Sequence, residues 1–169
     1  MELADFLEQK REMILGRWTD HVLSTYPAGS FQFFAKQKDR FQNPVGYTIK
    51  EALGAIYGQI IGRMDNTILV DALDGVIRIR SVQEFTPSEA VAFVFGLKTI
   101  VREAVADHVE KTQGSSSLRE IDARIDQVAL LAFDKYMECR ETLHEIRIKE
   151  IRSTSNRLLG RVQKDPDVS

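Results

Sequence analysis

The sequence predicts an all-α protein, and three observations carry that expectation. Prolines are few, at positions 27, 44, 87 and 166 of 169 residues. Between them apolar residues recur at intervals of three and four, the period of a helix with one buried face. Thr86, Pro87 and Glu89 then stand where a helix start wants its cap, its first-turn proline and its reciprocal carboxylate. About six helices follow from this pattern.

The first helix is expected over residues 2–24, with Leu3, Phe6, Leu7, Ile14, Trp18 and Val22 inward. Tyr26-Pro27-Ala28-Gly29-Ser30 breaks it. A short aromatic helix carrying Phe31, Phe34 and Phe41 ends before Asn43-Pro44, because a residue preceding proline is pushed out of helical geometry. A third helix starts at Thr48, whose hydroxyl and Glu51 make the reciprocal T-x-x-E pattern. The fourth covers residues 68–83 with Leu69, Leu73 and Val76 inward and Ile77 and Ile79 as further inward candidates.

Residues 91–95 taken alone would pass for a buried strand. The cap at Thr86 and the continuation through Ile100, Val101, Ala104 and Val105 make them helix instead. Apolar nearly all round at its start, this fifth helix is expected to be the central one. After a loop at Gln113-Gly114-Ser115-Ser116, Ser117 and Glu120 cap a last helix that meets no strong stop before Asp165-Pro166. At its full length it would span about 70 Å, against roughly 40 Å for a compact globule of this size.

Part of that helix must therefore leave the globule or bend back. Its inward stripe runs Leu118, Ile121, Ile125, Val128 and Ala132, continues through Cys139, Leu143 and Ile146, and resumes in a shifted phase at Ile151, Ser155, Leu158 and Val162. Residues 1–140 are expected to form the domain, and 141–169 a helical, partly coiled-coil extension with a short disordered tail. Ile151, Leu158 and Val162 are the candidate dimer or partner contacts.

Composition narrows the function. With 43% hydrophobic and 28% charged residues the chain is ordinary globular material, and a net charge of −2 provides no field for nucleic acid or an acidic membrane surface. Six basic residues against Glu150 alone between Arg147 and Lys164 are read as a solvated helix face, with no nucleic acid as partner. The single cysteine, Cys139, the acidic amphipathic start and the lack of any apolar run near roughly 18 residues point to a cytoplasmic, non-membrane protein.

Candidate sites are few. Gly54, Gly58 and Gly62 share one face of the third helix at about 1 kcal/mol each against alanine, which fits either a close helix crossing or a ligand lying on bare backbone. Arg78 and Arg80 precede the capped start of the fifth helix, where an anion could bind; the plainer alternative is pairing with Glu84, Glu89 or solvent. His21, His108 and His144 lie on different helices and make no metal site. No nucleophile elbow, Walker loop, dinucleotide fingerprint or CxxC occurs, so no catalytic residue, metal or cofactor is assigned, and the chain is not read as an enzyme.

The run IRIRSVQEFTPSEAVAFVFGLKTIVR over residues 77–102, with Trp18, Tyr26-Pro27 and Phe41-Gln42-Asn43-Pro44-Val45, resembles the N-terminal domain of RsbRD-type RsbT co-antagonist proteins. The likeness spans roughly residues 5–140 and is most specific at the TPSEA segment. It implies a globin-like bundle without haem, a sensor or regulatory domain of bacterial stressosome signalling that forms a homodimer and meets a regulatory protein partner. The fourth helix would take the place that carries the iron-ligating histidine in haem globins, and it contains no histidine. Proteins of that kind continue into a STAS domain; this sequence stops after the long helix, so what carries over is the sensor module and its dimerising helix rather than sequestration of a kinase. Two other readings stay open: a small-ligand binder, haem included, using Gly54, Gly58, Arg78, Arg80 and Phe93, or an accessory or scaffold protein of a larger complex.

Overall fold

A computed structural model describes residues 2–26, 43–83, 85–112 and 115–162, with the side chains of 107–112, 115, 161 and 162 left aside. The described residues hold six helices: α1 (Leu3–Gln9), α2 (Arg11–Ser24), α3 (Pro44–Ile61), α4 (Asn66–Val82), α5 (Pro87–Thr112) and α6 (Ser115–Val162). The expectation of an all-α fold with a long C-terminal helix holds. The aromatic helix expected at Phe31, Phe34 and Phe41 lies outside the described residues, as does the Asp165-Pro166 stop.

The longer helices close a ring: α2 packs on α3, α3 on α4, α4 on α6, α6 on α5, and α5 back on α2. Each contributes the inward stripe that its spacing predicts, and Leu7, Ile14, Trp18, Leu53, Leu73 and Phe93 are fully buried among them. Trp18 sits at the α2–α5 contact. Its ring stacks on Phe93 with centroids 6.3 Å apart, and its Nε1–H donates to the Phe93 carbonyl oxygen at 2.8 Å.

The helix expected over residues 2–24 is in fact two. Lys10 leaves helical geometry at φ −92° and ψ 3°. Hydrogen bonding continues on both sides of it, Lys10 N–H to Phe6 and Ile14 N–H to Lys10, so the break is a kink. Its physical source is Tyr57, whose hydroxyl donates to the Leu7 carbonyl at 2.9 Å. That oxygen is the acceptor an unbroken ladder would reserve for Arg11.

Thr48 and Glu51 do not start α3. The helix begins a turn earlier at Pro44, with Asn43 as cap accepting from Gly46 N–H at 2.8 Å. Asn43-Pro44 thus opens a helix, since proline is as well suited to a first turn as it is unsuited to an interior. Residue 46 must be glycine for this cap, because a Cβ there would come within 2.3 Å of the Asn43 side chain. α4 starts at Asn66, two residues before the expected start, with Asp65 as its cap accepting from Thr67 N–H at 2.8 Å. The predicted box at α5 is present: Thr86 N–H donates to Glu89 Oε2 at 2.9 Å, and Glu89 N–H reaches Thr86 Oγ1 at 3.4 Å.

Two further expectations are corrected. α5 is not the central helix, since Ala92 and Phe95 on its outer side are exposed. The close crossing falls not at Gly54 and Gly58 but at Gly75 of α4, where a Cβ would stand 3.3 Å from the Thr48 methyl of α3. A Cβ on Gly54 would meet nothing within 4 Å. Gly54→Ala is therefore expected to stabilise the protein by about 0.5–1 kcal/mol, through lower unfolded-state entropy alone. A urea midpoint unchanged or lowered in that variant would sink this account.

α6 joins the body to a projection. Ile121, Ile125, Val128, Ala129, Ala132 and Tyr136 are buried along its first half, whereas residues 144–160 are exposed throughout. Its 48 residues make it about 70 Å long.

Candidate functional site: a buried arginine joint

Along α4 the inward positions Leu69, Leu73 and Val76 are followed, at the next helical interval, by Arg80. The spacing that buries the leucines buries the arginine, and its side chain is fully enclosed. Nη1 donates to Thr25 Oγ1 at 3.1 Å, just past α2, and Nη2 donates to the Glu89 main-chain oxygen at 2.9 Å, in the first turn of α5. Three rings surround the guanidinium carbon: Phe85 at 4.2 Å, Tyr26 at 5.3 Å and Phe93 at 5.4 Å from ring centre.

The Glu89 carboxylate makes no direct ion pair with the arginine, although its charge favours the guanidinium from a distance. It is held in the cap by Thr86, whose hydrogen bonds draw its pKa down. Among the described residues Arg80 Nε has no hydrogen-bond partner. The charge is thus accommodated by a carbonyl, a hydroxyl and aromatic faces, each ring contributing about 0.5–2 kcal/mol. Burial lowers the arginine pKa and raises that of the Tyr26 phenol, and the attraction between the two groups offsets part of each shift.

The joint reaches a fourth helix. Tyr136 of α6, itself buried, donates from its hydroxyl to the Phe85 main-chain oxygen at 2.5 Å, and Phe85 meets Tyr26 edge-on with centroids 5.5 Å apart. The ends of α2 and α4, the start of α5 and the middle of α6 therefore converge on one buried cation.

The five predicted ligand residues fall in three neighbourhoods. Arg80 and Phe93 are together in the joint. Arg78 is on the exposed side of α4, bonded to Asp74 at 2.5 Å. Gly54 and Gly58 lie under Arg11 of α2, whose Nη2 donates to the Gly54 carbonyl at 3.0 Å and whose guanidinium rests 5.6 Å from the Tyr57 ring centre. Gly62 ends α3, and Arg124 of α6 donates to the carbonyls of Ile60 and Gly62 at 2.9 and 2.5 Å. Such a cation at a helix C-terminus meets the carbonyls left without partners there.

Asp74 ties the base of the projection to the body, since it also bonds Lys135 of α6 at 3.0 Å, and Lys135 reaches Glu138 at 3.1 Å. Burial works against its ionised form, but hydrogen bonds from Lys135 and Arg78 outweigh that and hold the carboxyl below its ordinary value. The contribution is present above the unfolded-state pKa near 4 and is lost as pH falls through the lower folded value. Asp74→Asn is expected to cost roughly 1 kcal/mol at pH 7, with the gap from wild type narrowing at pH 3 in urea titrations. A gap equal at both pH values would show that the ionised pair is not its source.

The remaining candidates are dispersed. Ile151 and Leu158 are exposed on the projection, and the side chain of Val162 lies outside the described residues. His21 lies against Gly96, where a Cβ would come within 2.4 Å of its Nε2; His144 is exposed, and the His108 side chain is outside the described set. Among the described residues no three His, Cys, Asp or Glu side chains are grouped to hold a metal ion, and no helix is long and apolar enough to cross a membrane. Sequence reasoning missed a groove of about 720 Å³ between α5 and α6, lined by Val91, Ala92, Phe95, Ala129, Leu130 and Phe133. Leu130, Phe133 and Met137 repeat at three and four beside the buried stripe of α6, and that second period was its available signal.

A ring of helices joined at a buried cation, with one wall prolonged into an exposed arm, defines an all-α helical module. The chain belongs to the RsbT co-antagonist protein rsbRD N-terminal domain family, whose model matches residues 12–151, and is thus a stressosome-related signalling domain. It is also 24% identical over 142 residues to an uncharacterized protein of Archaeoglobus fulgidus, with 83% of each chain covered. No solved structure matches it.

Proposed function

We propose that this chain is a non-enzymatic, cytoplasmic sensor module of globin-like build that forms a homodimer and passes a signal to a regulatory protein by repositioning α6. Residues 1–140 act as the regulatory domain and 141–169 as the output extension. The observation that carries this reading is the uninterrupted α6, one continuous helix shared by the core and the exposed arm. Rods of this kind transmit shifts of about 1–2 Å or small rotations without refolding. The buried arginine supports it, because its cage links α2, α4 and α5 and, through Tyr136 on the Phe85 carbonyl, connects them to α6.

Native mass spectrometry of the protein purified from its own host tests the proposal, since one spectrum reports oligomeric state and retained mass. A dimer with no added mass is the expected result. A reproducible extra mass would favour a small-ligand binder, and a monomer would remove the dimeric relay.

A further inference from the structure

Past Leu143 the side chains of α6 are no longer covered by the ring, and the helix runs on exposed from His144 to Gly160. At 100° per residue, Ile148, Ile151, Leu158 and Leu159 fall in one sector about 100° wide. They are 49%, 66%, 56% and 61% exposed. Arg147 and Arg152 stand within about 20° of the two edges of that sector. Between Arg147 and Leu159 the sole acid, Glu150, is on the far side of the helix. Neither arginine has an ion-pair partner among the described residues.

Spacing and charge together decide what covers this strip. Ile148, Ile151, Ser155 and Leu158 alternate by three and four, as the a and d positions of two heptads do. In that register Arg147 is at g and Arg152 at e. The g position of one strand in a parallel pair faces the e position five residues on in the other. Two copies of this chain would therefore set Arg147 against Arg152 on both flanks, with no acid in these heptads to relieve the repulsion. A lipid surface fits no better. It imposes no such narrow seam, and the helices that lie in it draw on Trp and Phe, whereas residues 144–162 contain no aromatic Phe, Tyr or Trp. An aliphatic seam with cationic borders is complemented by an aliphatic seam with anionic ones.

We infer that the arm from Arg147 to Leu159 docks an amphipathic helix of another protein, one whose aliphatic seam is bordered by glutamate or aspartate. Ile148, Ile151 and Leu158 enter that seam, Arg147 and Arg152 pair with its carboxylates, and Leu159 widens the contact on one side. Ser155, midway along the seam, lowers affinity and favours one register, as a single polar residue at an a position does. The inference rests on the proposed relay through α6 and deepens it by giving the chemistry of the regulatory partner. It leaves the proposed dimer to other surfaces of the chain.

The test titrates the full-length chain with two synthetic helical peptides, both carrying isoleucine at a and leucine at d, one with glutamate and the other with lysine at every e and g. Like charges keep each peptide from pairing with itself. Fluorescence anisotropy is expected to show the glutamate peptide binding at least about tenfold more tightly than the lysine peptide, with the gap shrinking at about 0.5 M salt. Arg147→Glu combined with Arg152→Glu is expected to reverse the preference; both positions are exposed, so the helix is kept, and circular dichroism checks it. Equal binding of the two peptides, a preference that survives the double substitution, or a wild-type chain that binds neither overturns the inference. So does loss of the dimer in Leu158→Glu, which assigns the strip to a second copy. Binding to phosphatidylserine-containing vesicles by a chain that ignores both peptides overturns it in favour of a membrane. A monomer in the native mass spectrum removes the proposed dimer and leaves the peptide result standing.

Discussion

Replacing Arg80 with alanine is expected to destabilise the protein by about 3–5 kcal/mol, and replacing it with methionine by less than about 2 kcal/mol. The alanine variant empties the space among Phe85, Tyr26 and Phe93 and removes the hydrogen bonds to Thr25 and the Glu89 carbonyl. A cavity of that size and the loss of two charge-assisted hydrogen bonds each carry a cost of their own. Methionine refills most of the volume and removes a charge whose burial is itself expensive. The contrast between the two variants, read in urea denaturation, isolates packing from charge. An alanine variant within about 1 kcal/mol of wild type would mean that the joint is not a fastening point of the ring.

Trp18→Ala is expected to cost about 3–5 kcal/mol, and Trp18→Phe about 1–2 kcal/mol. The indole is fully buried between α2 and α5, so its removal opens a hole at a contact that closes the ring. Phenylalanine keeps the stacking on Phe93 and loses the Nε1–H bond to the Phe93 carbonyl. Thermal or urea unfolding of both variants checks the ranking, and equal losses would show that the hydrogen bond, not the ring volume, dominates.

The two families of substitution also bear on signalling. If α6 relays a signal through Tyr136 and the arginine joint, Arg80→Met should fold well and yet alter regulatory output, whereas Trp18→Phe should do so far less. Arg80 lies within the joint that reaches α6 through Phe85 and Tyr136, while Trp18 fastens the α2–α5 wall.

The sequence by itself determined the helical class, the main inward stripes, the capped start at Thr86 and the presence of a long last helix, because periodicity and capping are local properties of a chain. It also carried the family likeness in residues 77–102. Where a local signal misleads, only the fold corrects it: Thr48 with Glu51 carries the pattern of a helix start and Asn43-Pro44 that of a helix stop, yet the cap at Asn43, with Gly46 leaving room for it, begins α3 a turn earlier. The kink at Lys10 was illegible because its cause, the Tyr57 hydroxyl on the Leu7 carbonyl, comes from a residue 50 positions away. The same holds for Arg11 on Gly54, for Gly75 against Thr48, and for the cage around Arg80, whose rings are contributed by the end of α2, the α4–α5 link and α5. Arg80 falls on the inward face of α4, and whether such a charge finds a carboxylate, a ligand or three aromatic rings depends on which helices close around it. That is a property of the tertiary structure alone.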